Sequence, residues 1–443
     1  MRISSKFMLV AVMLVGAQVM LLGKAHAIAA FSRQHKAECT ACHTIYPELN
    51  DFGEAFYKNG FVWPGKTPAE KNRAASQQTD GGEKSSTGGE LQRINEGLLL
   101  SAVPEVLPIS FSASQSITIN DHAADHTDLS TRFLGMQAAG NFREVVGFWV
   151  NYTLYSAGTY VPTTSTVQPN KTTNSIGELY AVLRHVQGTP VNIKIGRMSP
   201  QLGLWKAGNK VTSSSFAPYT YKVGPSTTKS PFTVSSTEDG LELNAILGNR
   251  VFVAGGIVDR DGQNKKEGYG HASVRIGGTD FLGHEPVVDL EKDSIWDFLA
   301  LTVGTYGYYG SNAPLDSNNS AIQNKDNNFY RIGLDTEILY KSLRVRLSGV
   351  RGSDSNPNFD LSAAAKDTKS LVGAAEAEYR LASNLIGALR YEYQDDGALT
   401  TRRYIAGVAY ALLQNTKLSA EYKQEKLPTV NNRTVQLGLG FCF

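Results

Sequence analysis

The chain has 443 residues, 43 Lys and Arg against 41 Asp and Glu, a net charge of +2 and a charged fraction of 19%, below the ~25% of ordinary soluble domains. This near-balance excludes a basic nucleic-acid binder, and three cysteines are too few for a disulfide scaffold. The 42 glycines, 20 tyrosines and 18 phenylalanines suit strands that alternate between lipid and a lumen.

Arg2 and Lys6 form a positive n-region, Phe7 to Leu22 is largely apolar, and Ala25-His26-Ala27 is an A-x-A cleavage site. Residues 1–27 thus read as a secretory leader. The alternative is an uncleaved anchor, but the apolar run falls short of the ~20 residues a span needs. Losing Arg2, Lys6 and Lys24 takes the net charge from +2 to −1.

Cys39-Thr40-Ala41-Cys42-His43 follows. C-x-x-C-H has this spacing because the two thiols add to the two vinyl groups of haem and the adjacent histidine then lies beneath the iron. The motif predicts one covalent haem c on Cys39 and Cys42, with His43 as proximal ligand. A zinc half-site would need further paired ligands, and a thioredoxin-like pair would follow a strand and open a helix. Neither pattern is present. Pro47 suits a first helical turn, Leu49, Phe52 and Phe56 recur on one helical face that would pack on the haem, and Asn59-Gly60 is a stop signal. Phe31, Tyr46, Phe61 and Trp63 add aromatic surface.

Residues 28–64 form a module smaller than the ~40 residues below which a chain usually needs a metal, a disulfide or a partner to fold. It is therefore expected to dock against, or plug, whatever follows it. Its distal iron ligand is open. His35 and then Met198, in Gly196-Arg197-Met198-Ser199-Pro200, are the candidates. His122, His126, His185, His271 and His284 are scattered.

Residues 65–105 read as a flexible linker, rich in Gly, Ser, Lys and Glu over 65–97. From 106 to 443 the pattern is period-two alternation, as in Val146, Phe148, Val150, Tyr152 and Leu154, or Tyr404, Ala406, Val408, Tyr410 and Leu412. Sixteen strands are predicted, near 110–119, 129–139, 145–155, 176–186, 190–198, 240–247, 250–258, 269–277, 298–309, 329–340, 343–351, 370–380, 384–394, 402–412, 417–424 and 434–443. The fold class is an all-β, antiparallel outer-membrane barrel. Its even strand number and its alternation of short turns with longer loops fit bacterial barrels. A soluble β-sandwich also alternates, but sixteen strands behind a leader, ending on Phe443, favour the barrel. The segment 278–297 is long where a short turn is expected. The 199–239 segment is expected to fold inward. Val435, Leu437, Leu439, Phe441 and Phe443 are expected to face lipid, and Cys442, of opposite parity, the lumen.

Phe31-Ser32-Arg33-Gln34, Cys39 to His43, and Pro47-Glu48-Leu49, Phe52-Gly53, Phe56 and Gly60-Phe61, followed by a barrel ending on Phe443, resemble the fused monohaem cytochrome–porins of the outer membrane, best known from iron-oxidising bacteria. The resemblance covers the whole mature chain; its N-terminal part is specific, and its barrel part is one of layout. It implies haem on Cys39 and Cys42, iron ligation by His43, oxidation of extracellular Fe(II) or another reductant, and electrons passed to a periplasmic c-type cytochrome. No acid–base pair or catalytic triad is visible, as suits electron transfer. The alternative is an anion-selective or gated porin in which the haem module is a plug or redox sensor. Lys206, Lys210, Lys222 and Lys229 would then line the path, although a solvated loop accounts for them better.

Overall fold

One strand shows the rule that builds the molecule. On Asn327–Tyr340, Tyr330, Ile332 and Leu334 are 43, 58 and 56% exposed, whereas the alternate residues Arg331 and Asp335 are 2 and 1% exposed. Apolar side chains point out and charges point in, the inverse of a water-soluble domain. A closed barrel with lipid outside satisfies both faces and leaves no unpaired backbone edge.

The computed structural model describes residues 30–64, 108–122, 127–156, 175–224, 228–229, 231–260, 265–286, 298–314, 327–359 and 367–443. The expected leader and linker, and 287–297, lie outside them. Two short strands come first, β1 (His43–Ile45) and β2 (Glu48–Leu49). Then follow β3 (Ile109–Asn120), β4 (Thr127–Phe142), β5 (Val146–Ser156), β6 (Ser175–Leu183), β7 (Val191–Met198), a two-residue β8 (Thr228–Lys229), β9 (Glu238–Leu247), β10 (Val251–Asp259), β11 (Glu267–Gly277), β12 (Leu299–Pro314), β13 (Asn327–Tyr340), β14 (Leu343–Asp354), β15 (Thr368–Ala382), β16 (Leu385–Asp395), β17 (Thr400–Leu413), β18 (Thr416–Lys426) and β19 (Asn431–Cys442). With β8 set aside, β3 to β19 are the sixteen expected strands, joined antiparallel into a closed barrel. Closure is by β19 on β3, with Cys442 opposite Ser112 and Val435 opposite Ile119.

The expected parity of the last strand holds. Val435, Leu437 and Phe443 are 39, 45 and 38% exposed, and Cys442 is 5%. Phe443 continues the pairing beyond β19, exchanging two backbone hydrogen bonds with Phe111 and stacking on its ring at 5.6 Å.

Two segments fill the lumen. The first runs from β7 to β9, as expected from the sequence. Its inward side chains form a core of Trp205, Phe216, Tyr219 and Tyr221 against Tyr306, Phe329 and Val350 of the wall. Lumenal carboxylates hold its backbone. Leu204 N–H donates to Asp335 at 3.1 Å, Ala217 N–H to Glu392 at 3.0 Å, and the N–H groups of Ser213 and Ser214 to Glu421 at 2.6 and 3.0 Å. It carries α3 (Ala217–Thr220), and β8 pairs with Ala313 and Pro314 of β12.

The second segment is residues 30–64, with α1 (Ala30–His35) and α2 (Asp51–Lys58). Helix α2 starts at Asp51 because Asn50 caps it, its side chain accepting the Gly53 N–H at 2.9 Å. The sequence reading needs correction here. Pro47 and Leu49 precede the helix, Pro47 in the turn between β1 and β2 and Leu49 on β2, since an asparagine cap three residues after the proline provides the better start. The segment lies within the ring of charged lumenal residues. Glu48 pairs with Arg344 and Arg346 of β14, and Asp51 with Arg275 of β11.

The long connection after β11 has a physical account over 278–286. Phe281 turns inward, 2% exposed, and packs on Phe252. Gly283, at φ +86°, passes so near Pro64 that a Cβ there would lie 2.3 Å from the proline ring. This connection lies against the N-terminal segment.

Leu437 sits at the middle of β19 on the exposed face. We expect Leu437→Lys to destabilise the barrel by ~2–4 kcal/mol, read as a lower urea midpoint in lipid vesicles and loss of the heat-dependent gel shift. An unchanged midpoint would show that this face does not meet lipid.

Candidate functional site

Cys39 opens a 3₁₀ turn, Cys39–Ala41, that places both thiols and His43 in one short bend. The bend is pinned from below by Asn50, whose side-chain amide donates to the Thr40 and Ala41 carbonyls at 3.2 and 3.1 Å and whose backbone N–H donates to Cys42 O at 3.0 Å. Helix α2 lies directly on this carbonyl, and a Cβ at Gly53 would stand 2.2 Å from Cys42 O. Glycine is therefore required at 53 for contact, whatever its backbone angles.

His43 Nδ1–H donates to the Glu48 carbonyl at 3.2 Å, which leaves Nε2 with the free lone pair. Burial pushes the imidazole below its ordinary value, against the pull of the Glu48 and Pro47 carbonyls. The ring is thus neutral at neutral pH, as a metal ligand must be. Burial first, and then the neighbouring Cys39, push the Cys42 thiol up to about 11. No group of three or more His, Cys, Asp or Glu placed to hold a bare metal ion occurs among the described residues. The donor set therefore fits a c-type haem: two thiols for thioether bonds and one oriented, neutral imidazole.

The predicted packing residues divide. Phe56 is buried with Phe61, Tyr180, Val182 and Met198, and Phe31, Tyr57, Trp63 and Trp149 pack around them. Phe52 meets Trp63 at 4.9 Å. Leu49 instead turns toward Gly53. The two candidate distal ligands fall in this one aromatic cluster. Met198 is 0% exposed, and the His35 ring lies 4.6 Å from Trp63 and 5.5 Å from Phe56. The ring contact of His43 is Tyr46, at 5.4 Å. Nothing in these contacts joins His35 or Met198 to His43.

The basic residues of the inward segment are not arrayed as a free cationic path. Lys206 is paired with Glu178 at 2.9 Å and covers the Tyr57 ring at 4.6 Å. Lys210 donates to Ser213 O and Ser215 Oγ at 2.7 and 3.0 Å, and burial together with the nearby Arg390 pushes it down to about 7. Lys222 is exposed, and the side chain of Lys229 lies outside the described residues.

Sequence reading missed the residues that seat the bend. Glu48 is 0% exposed and forms ion pairs with Arg344 and Arg346 at 2.9 and 3.0 Å. Burial opposes its charge, and the two guanidinium groups overcome that and hold its carboxyl below the usual range. Asn209 Oδ1 accepts the Leu49 N–H at 2.7 Å, and its amide donates to Glu54 at 2.5 Å. The available signal was charge at lumenal parity, Arg344 and Arg346 two apart on one strand.

No family model and no curated protein matches the sequence. Among solved structures, the chain is similar to an anion-selective porin from Comamonas acidovorans, with TM-score 0.52 at 11% identity over 76% of this chain and 98% of that one. It is also similar to the outer membrane channel DcaP of Acinetobacter baumannii, at 0.49 and 10% over 76% and 97%, and to a loop-deletion form of OmpT, an outer membrane protein of Vibrio cholerae, at 0.46 and 11% over 76% and 99%.

If the close fit at residue 53 seats the bend, Gly53→Ala should force the 30–64 segment to shift, at a cost of ~1–3 kcal/mol typical of overpacking. We expect faster hydrogen exchange across 39–58 with barrel strands unchanged. Equal protection in the variant would contradict the packing. What the fold comparison establishes is architecture: the chain has a porin-like outer-membrane β-barrel fold.

Proposed function

We propose that this protein is an outer-membrane barrel sealed by its own polypeptide, in which the Cys39–His43 bend holds one c-type haem and electrons rather than solutes cross. A haem held there supplies a one-electron iron couple. The chain's own residues do the rest. Cys39 and Cys42 would fix the ring covalently, and His43, oriented through Nδ1, would offer Nε2. The donor is Fe(II) or another extracellular reductant at the long-loop face. The acceptor is a periplasmic c-type cytochrome at the short-turn mouth, so the activity is that of an Fe(II):cytochrome c oxidoreductase without bond-making chemistry. The observation that carries this reading is the C-x-x-C-H bend seated inside the lumen by Glu48, Asn50 and Gly53.

The likeness to porins supports the channel part of the picture more directly than the redox part. A second reading therefore stands beside the first: a gated or anion-selective porin whose haem module is a plug or redox sensor. Two features weigh against open conduction. Lys206 is paired with Glu178, and the aromatic core of the inward segment packs on the wall without using residues 30–64.

Haem staining on a denaturing gel tests attachment. Wild type should stain, and Cys39→Ala with Cys42→Ala should not. Planar bilayers separate the two readings. The full chain should be nearly silent, and deleting residues 28–64 should still give far less current than an open sixteen-stranded porin. Steady anion-selective current through the intact protein would favour the channel.

A further inference from the structure

The wall of the barrel meets the segment that carries the bend at Glu48 and Leu49. Arg344 Nη1 and Arg346 Nη1 both form ion pairs with one oxygen of the Glu48 carboxylate, at 2.9 and 3.0 Å. Arg344 also donates to the Leu49 carbonyl at 3.2 Å, while Leu49 N–H donates to Asn209 at 2.7 Å and Arg346 donates to the Asn209 carbonyl at 3.1 Å. Strand β2 is thus held by its side chain, its N–H and its C=O. The Glu48 carbonyl is the acceptor for His43 Nδ1–H.

Charge balance does not explain the carboxylate. Glu337 already lies 3.2 Å from Arg346 Nε, and Glu376 and Glu378 lie 4.0 and 3.6 Å from its Nη1. A fourth buried acid adds repulsion. Its distinguishing property is position, five residues after the imidazole it orients.

We propose that Glu48 is a positioning residue: a strut through which Arg344 and Arg346 of the barrel wall set the orientation of the proximal His43 imidazole. The proposal rests on the haem reading. Partners that orient a ligating histidine commonly change metal-site properties by ~10–100-fold when lost. The consequence is that the electronic character of the haem depends on the barrel as well as on its own short segment.

The test uses haem-loaded full-length protein in detergent and in lipid vesicles. Glu48→Gln and Arg346→Lys should both keep covalent haem on a denaturing gel. Both should shift the haem absorption band toward a partly high-spin form and move the midpoint potential upward. Arg346→Lys keeps the charge and loses the guanidinium geometry that reaches Glu48, Glu337 and Asn209 together, so a pure charge effect would leave it unmoved. Asp51→Asn removes an equal charge from the same segment, at the Arg275 pair, and should leave spectrum and potential as in wild type. Stained Glu48→Gln and Arg346→Lys proteins with wild-type spectra and potentials would overturn the strut alone. So would an Asp51→Asn protein that shifts as far as they do. If Glu48→Gln does not assemble, Arg346→Lys decides. A wild-type chain without haem stain would sink the haem reading, and the strut with it.

Discussion

The structure depends on a reversal of the usual burial rule. The spanning strands turn most of their large apolar residues to lipid, and most of their buried charges therefore face the lumen. A lumenal guanidinium can meet water or a partner. Here it meets partners: Arg331 pairs with Asp354, Arg390 with Glu376 and Glu392, and Arg260 with Glu267. Pairing of this density leaves little unpaired charge to draw ions through. Removing one member of such a buried pair usually costs ~3–5 kcal/mol.

That charged interior explains why two polypeptide segments can live inside it. The segment after β7 presents backbone N–H groups to lumenal carboxylates and then collapses its own aromatics onto Tyr306 and Phe329. Residues 30–64 use charge instead: Glu48 and Asp51 answer Arg344, Arg346 and Arg275. Their apolar face, Phe56 with Phe31 and Phe61, finds Trp149, Tyr180 and Met198 on strands β5 to β7. A segment this short could not bury that face alone. The wall supplies the missing core.

The barrel was almost fully legible in the sequence, because period two with a lipid-facing side leaves a strong trace over each strand. Even the parity of Cys442 followed from it. Strand ends were less legible. β12 runs on to Pro314, since pairing with β13 and β8 extends it past the alternating region. Within the site, the C-x-x-C-H spacing fixed the bend. Its surroundings were hidden, because Glu48, Asn209, Arg344 and Arg346 are far apart in sequence and meet only on closure. Pro47 misled for a local reason, as the Asn50 cap took the helix start.

The central claim is that electrons cross this barrel while solutes do not. Vesicles carrying the purified protein, with an oxidised soluble c-type cytochrome and a small dye trapped inside, test it directly. Fe(II) held outside by an impermeant chelator is the donor. The account predicts that the internal cytochrome becomes reduced while the dye stays in, and that vesicles bearing the double cysteine variant show neither change. Dye escape without reduction, or no reduction by wild-type protein carrying haem, would contradict it.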